Sequence, residues 1–191
     1  MRAKKTKLVY GIGLNDYDGR VSIDGKMIKS YNTWCKMLLR CYDSKYQQRN
    51  PTYSGCSVCQ DWLSFTKFKM WYDSNYREGM ALDKDLLIHG NKQYSPEACR
   101  FVPHNINTVL LDCGRARGEL PLGVTKHGNG YSASCSNGYG KRLSKRFSTI
   151  SEAVSWYSVT KTAVVKQVAD KALADGLIGQ DVHEALLARK F

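Results

Sequence analysis

The sequence predicts an α+β protein of two modules: helices and short strands first, then a three-stranded sheet packed on a long helix. Three observations carry that reading. Apolar residues recur at three- and four-residue steps over 31–42 and again beyond 149, the mark of amphipathic helices. Seven of the 16 glycines fall between Gly114 and Gly140, among short segments that can pair as strands. Finally, 29 Lys and Arg stand against 17 Asp and Glu, a formal charge of +12 in 191 residues, which fits one domain or two small ones of strongly basic character.

That excess attracts polyanions, so nucleic acid leads as partner and an anionic membrane surface follows at a distance. Hydrophobic residues at 42% and charged residues at 24% exclude global disorder. No stretch approaches the eighteen or so apolar residues of a membrane span, and MRAKKTK lacks the apolar centre of a signal peptide. The expectation is a cytoplasmic protein with no membrane partner and no small-molecule substrate.

Residues 1–30 read as a basic arm, with Arg2, Lys4, Lys5 and Lys7, followed by a strand over Leu8–Gly13 and a hairpin turning at Asp24-Gly25. Trp34, Met37, Leu38 and Cys41 set the apolar face of a helix over 31–42. Residues 43–58 are polar and read as loop. Trp62, Phe65, Phe68 and Trp71 recur every three residues and predict a core-building helix in preference to a platform for stacking bases. A strand over Gly79–Ile88 follows, then a helix from Pro103 to Leu111, since proline suits a first helical position. The basic, Gly- and Pro-punctuated run around 114–120, with Arg115 and Arg117, reads as a linker between modules 31–113 and 121–191. Beyond it come strands over 122–126, 131–135 and 142–147. Thr149 or Ser151 caps a long helix bearing Ala153, Trp156, Tyr157, Thr160, Val164 and Val168, and a last helix spans 180–188.

MALDKDLLIHGNKQYSPEACRFVPHNINTVL, from Met80 to Leu110, resembles the core of the HNH, or His-Me finger, nucleases of phages and mobile introns, and TWCKMLLRCY through GCSVCQDWLSF resembles the region that often precedes it. The resemblance implies two strands and a helix round one divalent metal, with phosphodiester cleavage as the activity. It places a magnesium ligand at Asp83 and, from the homing branch, a second at Asn107; both are hard oxygen donors. Lys84 stands where the family has its general-base His, and Ala98 where it has the Asn that orients that His. A lysine amine stays protonated at pH 7, and Asp83 and Asp85 on either side favour that form, so it cannot take a proton from water and could instead hold a phosphate. His89 and His104 are the alternative bases.

The segment from Pro121 to Ala169 resembles the AP2 DNA-binding domain: LGVTKHGNGYSASCS matches its first two strands and FSTISEAVSWY its strand-to-helix passage, at Gly123, Val124, Phe147, Thr149, Glu152, Ala153 and Tyr157. That fold lays its sheet in the major groove and packs its helix behind. The resemblance puts Lys126, Arg142, Lys145 and Arg146 on DNA, while Thr125, Ser134, Ser136 and Ser144 stand where base-reading members carry Arg and Trp, which favours phosphate contact over base reading.

Cys35, Cys41, Cys56, Cys59, Cys99, Cys113 and Cys135 are odd in number and not spaced as a secreted disulfide scaffold, so reduced thiols are expected. Cys56-Ser57-Val58-Cys59 is a lone CxxC; with Cys41 and Cys99 it could complete a structural zinc site, against the simpler role of small core residues. Three functions follow: a double-stranded DNA-binding protein of phage type with a degenerate HNH-like core, which the Lys84 and Ala98 replacements favour; a magnesium-dependent HNH-like endonuclease; and a basic module that binds an acidic host protein, in the infected host cytoplasm as the others would be.

Overall fold

Gly13 is pressed so closely against the first long helix that a Cβ there would lie 2.3 Å from Leu38 Cδ1, and packing of this kind starts the first of two compact units. A computed structural model describes residues 8–110 and 119–191, and the chain divides into 1–78 with 82–101 and 79–81 with 102–191. Both mix helices with small sheets, so the α+β class holds.

In the first unit, β1 (Ser22–Ile23) and β2 (Lys26–Met27) form the expected hairpin, with Asp24 and Gly25 at φ 49° and 74° as its tight turn requires. The expected strand over Leu8–Gly13 is instead a turn closed by a Val9–Gly13 bridge, because Tyr10 and Gly11 adopt φ 51° and 76°. Helix α1 (Lys29–Tyr42) buries Trp34, Met37, Leu38 and Cys41 as their spacing predicts. The expected loop over 43–58 contains a short helix, α2 (Ser44–Arg49), started by the Asp43 carboxylate, which accepts the Tyr46 N–H at 2.6 Å; no apolar period announces it because it buries no residue. After β3 (Ser57–Val58), a 3₁₀ turn carries Trp62, and α3 (Phe65–Asn75) begins behind Ser64, whose hydroxyl caps Lys67 N–H. Trp62, Phe65 and Phe68 are 0 to 1% exposed, and Trp34 Nε1–H donates to Trp62 O at 2.7 Å. Three of the four expected aromatics are therefore core, with Trp62 on the turn before the helix and not on it, and Trp71 is half-buried against the Phe101 ring.

The expected strand over Gly79–Ile88 stops at β4 (Met80–Asp83), where side chain to backbone hydrogen bonds take over. β5 (Gln93–Tyr94), which the sequence does not announce, runs parallel to β3 in register Ser57–Gln93 and Val58–Tyr94. β6 (Arg100–Pro103) pairs with β4. Pro103 ends that strand instead of opening the helix, and α4 (His104–Leu110) follows it.

The second unit is ordered by a three-stranded antiparallel sheet, β7 (Val124–His127), β8 (Gly130–Ser136) and β9 (Arg142–Phe147), backed by α5 (Ile150–Ala174). Thr149 is the cap: its hydroxyl accepts the Glu152 N–H while the Glu152 carboxylate accepts the Thr149 N–H. Gly123, at φ 75°, lies against the Tyr157 ring, where a Cβ would come within 2.0 Å of Cε2. α6 (Gln180–Leu187) packs on α5, and so does α4, which thus belongs with this unit. The expected module end at 113 and the linker 114–120 fall largely on residues 111–118, outside the described residues, as do the arm residues Arg2, Lys4, Lys5 and Lys7, and Cys113, Arg115 and Arg117. No helix among the described residues is long and apolar enough to cross a membrane.

Candidate nucleic-acid interface

Strand periodicity decides which cations of the sheet can act together. In β8 the buried positions Ala133 and Cys135 alternate with Ser132, Ser134 and Ser136, so the serines face away from α5. Register extends both faces. Ala133 opposes Val124 and Lys145, Cys135 opposes Leu143, and Tyr131 opposes Lys126 and Phe147; Phe147 meets Trp156 of α5 at 6.0 Å between ring centres, which fixes this as the helix side. The outer face is then Thr125 and His127 of β7, the three serines of β8, and Arg142, Ser144 and Arg146 of β9. Hydroxyls, an imidazole and two guanidiniums make up this face, without a carboxylate or an apolar side chain.

Arg142 donates through Nε and Nη2 to Ser134 Oγ at 2.9 and 2.8 Å, which lays its guanidinium along the face between β8 and β9. The expected set of four sheet cations is therefore split. Arg142 and Arg146 are exposed on the outer face, whereas Lys126 and Lys145, also exposed, belong by register to the helix side; Lys145 Nζ lies 5.6 Å from the ring centre of Phe147, its i+2 neighbour on that face. His127 was not singled out from the sequence, although alternation from Val124 would have found it.

The expected nuclease residues lie elsewhere. Asp83 ends β4, half-buried, and its Oδ1 accepts the Asp85 N–H at 3.0 Å. Lys84 is only 8% exposed. Its Nζ donates to Asp85 Oδ2 at 3.1 Å and to Asn91 O at 2.9 Å, while Asn91 Nδ2 returns a bond to Lys84 O at 2.7 Å and holds Gln93 O at 2.6 Å. The ammonium thus ties residues 84–91 into a closed loop, and this inward role replaces the outward phosphate grip that its charge suggested. Ala98, 5% exposed, lies in the same unit's core. His89 is exposed on the loop and His104 is exposed at the first residue of α4, which also carries the half-buried Asn107. Asn107 and His104 belong to the second compact unit, Asp83, Lys84 and His89 to the first.

Cys35, Cys41, Cys56, Cys59, Cys99 and Cys135 are free thiols. Cys41, Cys56 and Cys99 are buried and Cys59 is half-buried. Burial, with Cys56 nearby, pushes the Cys41 thiol up to about 12, and burial does the same to Cys99, again to about 12. In the neutral form these thiols pack as small apolar groups. Among the described residues no group of three or more His, Cys, Asp or Glu side chains stands where it could hold a metal ion. No protein-family description, curated protein or solved structure matches the chain.

Proposed function

We propose that the protein binds double-stranded DNA through the outer face of β7, β8 and β9, in an AP2-like module joined to a degenerate HNH-like core that does not cleave efficiently. One observation carries the reading: a sheet backed by a helix presents two arginines among hydroxyls, and no carboxylate, on the face it turns outward. A duplex supplies the complementary surface, since Arg142 and Arg146 can neutralise phosphates while the short serine and threonine side chains let the sheet approach the groove closely. With no long base-reading side chain there except the arginines and His127, phosphate contact dominates and sequence preference is weak.

The inward ties of Lys84 support the non-cleaving half of the proposal. Its donations to Asp85 Oδ2 and Asn91 O turn the amine into the loop, away from the place where a base would have to meet water. If a magnesium ion binds the first unit, Asp83 is the oxygen donor there that the resemblance names, and the ion would supply charge neutralisation at the phosphate. Fluorescence anisotropy with a labelled duplex tests the binding claim. Micromolar or tighter binding that weakens steeply with salt is expected, and binding that ignores salt would sink it.

A further inference from the structure

Arg142 opposes Ser136 in the register of β8 and β9, yet its side chain bonds a different serine. Ser136 Oγ already accepts the Gly138 N–H at 3.1 Å, in the turn between the two strands. The guanidinium crosses instead to the diagonal neighbour, Ser134, where Nε and Nη2 both donate to Oγ at 2.9 and 2.8 Å; diagonal positions on one sheet face lie within reach of a long side chain. Ser134 is a firm anchor. It stands half-buried on the central strand, paired with Ser144 on one side, and on the other its N–H donates to Gly123 O at 2.8 Å.

That bond decides which donors remain. A guanidinium is planar, with a side edge formed by Nε and one Nη and an end edge formed by the two Nη nitrogens. Ser134 takes the side edge, so Nη1 and the second hydrogen of Nη2 are left on the end edge, a fork that matches two phosphate oxygens. A hydroxyl oxygen has two lone pairs, and the two arginine N–H groups use both, so the Ser134 O–H can only donate. The pair therefore offers donors alone, on a face without a carboxylate. An arginine free to swing loses rotamer freedom when it grips a ligand; one already held loses less.

We propose that Ser134 is a positioning residue for Arg142: by taking the side edge of the guanidinium it holds the end edge ready for one phosphodiester of a duplex. The inference rests on the DNA-binding reading for the source of the phosphate. It assigns the serine an effect on binding that passes through the arginine and vanishes when the arginine is removed.

The test uses the full chain, a labelled duplex and the double-mutant cycle of Ser134→Ala with Arg142→Ala. Ser134→Ala alone should weaken binding about fivefold through the rotamer freedom it restores to Arg142, while the slope of log affinity against log salt stays as in wild type because no charge is removed. Added to Arg142→Ala, it should cause no further loss. Wild-type affinity in Ser134→Ala overturns the proposal, and so does an equal loss in the absence of Arg142, which would mean that the serine meets DNA by itself. Should Ser134→Ala fail to fold, Ser134→Val replaces it with the same expectations. If the wild type binds no duplex, the DNA reading itself fails, and NMR of the free protein decides the placement separately: the Arg142 Nε–H should exchange with water several-fold more slowly in wild type than in Ser134→Ala, and equal exchange overturns the positioning.

Discussion

The loop over 84–91 and the outer sheet face both carry cations that charge counting treats alike, yet the structure uses them in opposite ways. Lys84 spends its ammonium on Asp85 and on the Asn91 carbonyl and is 8% exposed. Arg142 and Arg146 stay exposed, and the one described tie of the Arg142 side chain is to a serine hydroxyl on the same face. A cation that has answered to a carboxylate and a carbonyl stabilises a fold, while one that shares only a neutral hydroxyl keeps its charge for a partner. Net charge of +12 attracts anions in general; only the hydrogen bonds separate the cations tied into the fold from those left open.

The comparison breaks most severely if the sheet loses its backing. Gly123→Ala would force a Cβ into the Tyr157 ring and strain a backbone at φ 75°, so denaturant unfolding should show a loss of about 3 kcal/mol, summed from strain and overpacking. Duplex binding should fall with it, and a variant as stable as wild type would mean that Tyr157 does not pack there. Next in size is the loop. Lys84→Met removes the donor shared by Asp85 Oδ2 and the Asn91 carbonyl and should cost about 1–3 kcal/mol, again read by denaturant unfolding. No change in stability would show that the ammonium is not the tie described.

Thr149→Ala sharpens the comparison from the helix side. It removes the hydroxyl that caps α5 and should cost about 1 kcal/mol, with the salt response of duplex binding unaltered because the outer face is untouched. Catalysis gives the remaining contrast. Supercoiled plasmid incubated with magnesium or manganese should stay largely supercoiled; nicking that Asp83→Ala abolishes would return the first unit to the nucleases.

Much of this was readable where period and capping chemistry coincide. Trp34, Met37, Leu38 and Cys41 declared α1, Asp24-Gly25 declared its hairpin, and Thr149 with Glu152 declared the start of α5. Elements held by side chain to backbone bonds were not readable: α2 buries nothing, and the strand expected through Ile88 ends at Asp83 because Asp83, Lys84 and Asn91 bond the chain into a loop. For the candidate site, the strands β7 to β9 were legible but the grouping of cations was not. Lys126 and Lys145 were joined with Arg142 and Arg146 on residue type, and strand alternation separates them.

That separation of the two pairs is the central claim, and paired variants measure it. Arg142→Ala with Arg146→Ala should weaken duplex binding by one to two orders of magnitude near 100 mM salt and reduce the slope of log affinity against log salt by about 1.8, as for two lost phosphate contacts. Lys126→Ala with Lys145→Ala removes the same formal charge from the other face and should lower that slope by less than half as much. Equal losses from the two pairs would contradict the account, because they would mean that DNA responds to charge alone and the outer face is not its seat.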